Sequence, residues 1–162
     1  MTVYHGSTVE VKNPDTNHSN RHLDFGTGFY VTTVSGQAER WAKRKSMLER
    51  KKSGIVNIYE LKNYSNMKVL DFDENLEEGL DFVCQCRDGS EEYKKYDIII
   101  GKVADDKVFR VVDMYKRGIW DKERALKEIR VYETYNQLAF ISQNAIDQAL
   151  AFQGGYEVKC DG

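Results

Sequence analysis

Phe25-Gly26-Thr27-Gly28-Phe29-Tyr30-Val31-Thr32-Thr33 is the stretch on which the fold turns. Two glycines ahead of an aromatic pair and a β-branched run read as a tight turn that feeds a strand. The third glycine of a dinucleotide-binding fingerprint is missing and the strand-to-helix context is absent, so the GTG is not that motif. Alternation along the strand sends Phe29 and Tyr30 to opposite faces, and one of the two should face a pocket. A tyrosine ring there offers a flat surface for stacking a heteroaromatic ring; the plainer reading is a hairpin with a core aromatic.

Upstream, Tyr4-His5-Gly6-Ser7 sets a histidine in a short strand, Val3 to His5, immediately before a glycine. An imidazole there can donate to or accept from a sugar hydroxyl, and Gly6 lets a ligand approach the backbone. Downstream, Ser35 is placed to cap a helix in which Ala38, Trp41, Ala42 and Leu48 share a face. Ile55 to Leu61 and Lys68 to Phe72 read as strands, and Leu76, Leu80, Val83 and Cys84 recur at helical spacing. Tyr96 to Val103 is the most apolar run and reads as a central strand. Two helices follow, one carrying Val108 to Tyr115 and one capped by Asp121, then a strand from Tyr135 to Ile141. A last helix capped by Ser142 reaches Leu150, and Tyr156 to Cys160 closes the chain. This order predicts one mixed α+β domain over residues 1–162, without regular βαβ alternation.

Composition agrees with a globular protein: 41% of the residues are hydrophobic and 31% charged. No apolar run approaches the roughly 20 residues that span a bilayer, and the first residues carry no cationic-then-apolar signal, which predicts a cytoplasmic protein with no membrane partner. Three cysteines, Cys84, Cys86 and Cys160, form no paired framework, and the histidines, His5, His18 and His22, lie far from them, so no metal site is expected. Charge is lopsided. Seven basic residues against two acidic ones fall between Glu39 and Lys52, and nine acidic residues against Arg87 alone fall between Asp71 and Glu92. The basic stretch is either a solvated helix face or a patch that attracts phosphates.

YHGS, FGTGFYVTT with a helix after it, and the late YNQLAF strand (residues 135–140) resemble the three ordered motifs of the ADP-ribosyltransferase fold, in the branch of diphtheria toxin and the poly-ADP-ribose polymerases. More narrowly, LDFGTGFYVTT, QAERWA, YDIIIGKVADD and YNQLAF are similar to a bacterial family long designated a domain of unknown function. The broad resemblance implies a split β-sheet core with peripheral helices and NAD as substrate. It implies that His5 holds a hydroxyl of the nicotinamide ribose, that the Gly6 backbone meets the carboxamide, and that Ser7 lies near that ribose. Tyr30 would stack on nicotinamide, and Trp41, after ten intervening residues, would be a second wall or else a core residue. Arg21 would meet the pyrophosphate or remain in solvent.

One position departs from the pattern. Where transferases of this branch usually carry a catalytic glutamate, the chain has Gln137, which keeps a hydrogen bond to the ribose 2′-hydroxyl but loses the charge. Glu133, four residues away on the same strand face, lies roughly 13 Å off at strand rise and cannot replace it without a bulge. Tyr135 takes the place that presents the acceptor. With Arg40, Lys43 and Arg44 on the basic helix face, it points to a macromolecular acceptor, a nucleic-acid base such as thymidine in single-stranded DNA ahead of a protein side chain. A toxin-like role with an antitoxin partner fits such a transferase. The other class of function is a module that holds NAD or ADP-ribose without turnover.

Overall fold

The computed structural model describes residues 1–17, 25–72, 75–104, 106–130 and 134–160. Seven strands make one sheet: β1 (Thr2–Ser7), β2 (Phe29–Thr32), β3 (Ser53–Leu61), β4 (Val69–Asp71), β5 (Ile98–Ala104), β6 (Thr134–Phe140) and β7 (Leu150–Lys159), in the spatial order β4-β5-β6-β2-β1-β3-β7. β4 and β5 are parallel, joined through helix α2 (Leu76–Arg87), and the other pairings are antiparallel. The fold class is α+β, as the sequence predicts.

The sheet has a seam. β1 pairs with β3 from Thr2↔Glu60 to Ser7↔Ile55, and β2 pairs with β6 from Phe29↔Phe140 to Thr32↔Gln137, yet β1 and β2 are bridged only at Tyr4↔Thr32. No other β1–β2 ladder pair forms among the described residues, although the Phe29 face stays packed across the join, with Val3 and Tyr59 against Phe29.

The β2 half is filled from both faces. Phe29 and Val31 join Leu138, Phe140 and Ile98 on one face, and Tyr30 joins Phe25, Ile99 and Ala139 on the other. On the Tyr30 face α2, α3 (Asp106–Lys116) and α4 (Lys122–Arg130) supply Leu80, Val111 and Ile129. On the Phe29 face α5 (Gln143–Ala149) adds Ala145, Ile146 and Ala149.

The β1 half carries helix α1 (Ser35–Leu48) on a seat of small residues. A Cβ on Gly6 would strike the Ala38 carbonyl oxygen and come within 2.7 Å of the Ala42 nitrogen, and one on Gly54 would lie 2.6 Å from the Ala42 oxygen. The space at Gly6, read from sequence as room for a ligand, is thus filled by the helix backbone. α1 starts one residue earlier in function than expected: Val34 is the N-cap, its N–H donating to Thr32 Oγ1, and Ser35 is the first helical residue. Leu48, expected on the buried face, is 63% exposed because the helix ends there above the β1–β3 surface.

Other elements fall near their predicted places. Asp121 accepts from the Arg124 N–H and Ser142 from the Ala145 N–H, so both helix starts are capped as read. The closing strand is longer than Tyr156 to Cys160, since β7 begins at Leu150 directly after α5. Gly154 and Gly155 hide this continuity in sequence; Gly154 takes φ +131 at a bulge opposite Ile58 and Tyr59, and the strand runs through it. The short 3-10 turn Glu92–Lys95 has no forecast in the sequence reading.

Candidate functional site at the sheet seam

Six polar residues are buried among the described residues: Ser7, Thr32, Gln37, Ser46, Asn57 and Gln137. Ser46 sits inside α1, its hydroxyl donating to the Ala42 carbonyl. The other five gather about the seam. Ser7 is on β1, Thr32 on β2, Gln137 pairs with Thr32 across β6, Asn57 pairs with His5 across β3, and Gln37 lies in the first turn of α1. Buried polar groups are costly unless satisfied, so their concentration along one line is informative.

His5 bridges the seam. Its Nδ1 lies 2.6 Å from the Tyr30 carbonyl oxygen, and because a carbonyl only accepts, Nδ1 is the donor. The imidazole stacks on Phe29 at 4.2 Å. His5 and Tyr30 are therefore brought together, but through the Tyr30 backbone. The Tyr30 ring lies on the other face, 7% exposed, with its hydroxyl accepting from the Phe25 N–H at 2.9 Å and donating to the Gly26 carbonyl at 2.5 Å. That hydroxyl closes the FGTG turn. Gly26 takes φ +89, and a Cβ on it would meet the Tyr93 ring, so the turn tolerates only glycine there.

Some of the buried polar groups have structural duties. Asn57 accepts from the Val11 N–H at 2.8 Å and donates to the Val9 carbonyl, holding the loop after β1, and Tyr59 donates to Val11 beside it. Burial pushes the Tyr59 hydroxyl well above the ordinary tyrosine range, so it stays a neutral donor. Ser7, fully buried, lies 3.5 Å from the Lys45 ammonium. Gln37 differs from these. Gln137 is 5% exposed and Gln37 2%, and Gln37 Oε1 has no hydrogen-bond partner among the described residues.

Gln37, Trp41 and Lys45 follow one another at i, i+4 and i+8 and form one row of α1. The Trp41 Cβ sits against Gly6 on β1 and Lys45 reaches Ser7 on β1, while Ala42 and Ser46 lie against Gly54 on β3. The row therefore faces the β1 side, toward the seam. Trp41 is half-buried and belongs to none of the three apolar clusters among the described residues.

The remaining candidates lie apart. Arg40 and Arg44 are exposed on the outer side of α1, and Lys43, half-buried, gives its carbonyl to the Cys160 thiol. Tyr135 pairs with Val103, two residues along β6 from Gln137. Arg21 lies outside the described residues. Within the acidic stretch, Asp81 of α2 binds Lys122 of α4 at 2.8 Å, Asp88 binds Lys116 of α3 at 2.5 Å, and Glu91 and Glu92 bind Lys94 and Lys95. Phe29, one of the two aromatics expected to face a pocket, is the one beside His5, and the sequence did not single out Gln37 or Lys45. Alternation with His5 and the i, i+4 row through Trp41 were the available signals.

An α+β protein with a seamed, mostly antiparallel sheet and a line of buried polar residues at the seam is the class defined by this fold and site. The chain belongs to the DUF3990 family, described as a protein of unknown function, whose model matches residues 1–152. No curated protein and no solved structure matches it. Among the described residues no helix is long and apolar enough to cross a membrane.

Proposed function

We propose that the protein is an NAD-dependent ADP-ribosyltransferase whose site lies at the β1/β2 seam. The observation that supports this reading is that the strands of the three motifs are neighbours at the seam: His5 Nδ1 meets the Tyr30 carbonyl, and Gln137 pairs with Thr32, which bridges to Tyr4 on β1. His5 lies on the Phe29 face and Gln137, by alternation with Ala139, on the Tyr30 face, so a ligand held by both would have to pass between the strands at the seam. With Nδ1 donating to Tyr30, the neutral form of the ring presents Nε2 as an acceptor for a ribose hydroxyl. Trp41 supplies an aromatic wall for nicotinamide, and Gln137 orients the 2′-hydroxyl.

In the reaction the bond from the ribose anomeric carbon to the nicotinamide nitrogen breaks, and its electron pair leaves with nicotinamide. The acceptor nucleophile forms the new bond to that carbon and gives up its proton. Positive charge builds on the ribose on the way. Gln137 contributes a hydrogen bond but no charge, which costs about a hundredfold to a thousandfold in rate relative to a carboxylate. The acceptor is a nucleic-acid base, thymidine in single-stranded DNA, with its phosphates met by the exposed Arg40 and Arg44 beside Lys43, and the base by Tyr135. An antitoxin protein is the partner that a cytoplasmic toxin-like transferase would have.

Gln137 also favours a second reading, an NAD- or ADP-ribose-binding module without turnover. Isotope-labelled NAD offered to separate pools of DNA, RNA and protein distinguishes the two, with His5→Ala as control. Label on single-stranded DNA that vanishes in the control is the expected result. Label on none of the pools, with NAD still bound, selects the module; label on protein alone rejects the base acceptor.

A further inference from the structure

Gln37 is a buried amide whose carbonyl oxygen has no hydrogen-bond partner among the described residues. It is 2% exposed, and its Oε1 is shielded from solvent. A buried carbonyl without a donor is destabilising, and native proteins keep few of them. An aliphatic side chain of similar size would fill the same space at no such cost. The position therefore carries a penalty that packing does not explain. Its place in the fold supplies the explanation, since Gln37 heads the α1 row that runs through Trp41 to Lys45 and faces the seam, five residues after Thr32, the strand partner of Gln137.

We propose that Gln37 is a ligand-contacting residue whose Oε1 accepts a hydrogen bond from an uncharged N–H or O–H donor of the molecule bound at the seam; this rests on the reading of the seam as an NAD site. An amide oxygen is suited to that task and poorly suited to an anionic group, so the Gln37 end of the row receives a neutral donor. The Lys45 end, where an ammonium stands by Ser7, is the end that receives an anionic group such as a phosphate. The row thus gives the ligand a direction along α1.

The test is a calorimetric titration of NAD into the full chain, wild type and Gln37→Met, paired with thermal melts of both without ligand. Methionine keeps the length and shape of the side chain and removes the carbonyl. The expected result is a variant that melts at or above the wild-type temperature and binds NAD about tenfold more weakly. A variant that melts several degrees lower overturns the assignment, because the amide would then be holding the fold together. Unchanged NAD affinity alongside normal wild-type binding overturns the assignment alone. A wild type that binds no NAD overturns it together with the transferase reading.

Discussion

The two halves of the sheet on either side of the seam are held by different means. On the β2 side large aromatic and aliphatic side chains fill both faces, and the FGTGFY turn is locked by the Tyr30 hydroxyl against its own backbone. On the β1 side α1 lies against Gly6 and Gly54 so closely that its own backbone makes the contact, and the fully buried part of the apolar cluster beneath it is Ala38, Ala42 and Val56, with Tyr4, Tyr156 and Val158 packed at its edge. One face of the β1 half is built by the removal of bulk, while its other face shares a core with the β2 half, where Val3 and Tyr59 pack with Phe29 and the Phe29 and Tyr59 rings lie 5.7 Å apart. Buried polar groups collect along the line between the halves.

Substitutions sharpen that comparison in order of expected size. Gly6→Ala places a methyl against the Ala38 and Ala42 backbone, which cannot yield as a side chain tip would, and should cost about 3 kcal/mol or more in chemical denaturation. A cost under about 1 kcal/mol would mean that α1 is not seated as described. Tyr30→Phe removes one acceptor and one donor from the turn and should cost about 2 kcal/mol. If its urea midpoint equals that of wild type, the hydroxyl does not hold the turn.

Ser142→Ala is a smaller break at the far edge of the β2 half. The Ser142 hydroxyl caps α5 and donates to Asp97 at 2.7 Å, so its loss should cost about 1 kcal/mol. The smallest effect is on acid stability. The Lys68 backbone N–H, then the Ser142 hydroxyl, hold the Asp97 carboxyl below the ordinary aspartate range. A carboxyl lowered in the folded state contributes stability that is complete above about pH 4 and is lost as pH falls through the lowered value. Asp97→Asn should therefore flatten the acid limb of a stability profile below about pH 4. An acid limb identical to that of wild type would dissociate Asp97 from the acid response.

Local signals made much of the fold legible. Asp121 and Ser142 announced their helices as caps, and the β-branched run from Ile55 announced β3, because these depend on residues near in sequence. The seam was not legible, since a single bridge between β1 and β2 is a matter of how two halves are joined in space. His5, Tyr30 and Gln137 stand out in the sequence, whereas which side chain of the FGTGFY strand meets His5 depends on the pairing of β1 with β2. The Tyr30 ring serves its own turn, while Phe29 meets His5. Gly6 is glycine for the sake of a helix thirty-odd residues away, a contact that no local pattern encodes. Gln37 stood within a polar-looking helix start, where burial is invisible until the helix is placed over β1.

Binding of NAD at the seam is tested most directly by titrating NAD into the wild-type chain and into His5→Ala by calorimetry, with circular dichroism to verify that both are folded. The account predicts saturable one-site binding by the wild type and at least about a tenfold loss in a folded His5→Ala. No binding by the wild type, or equal affinity in the two proteins, would contradict it.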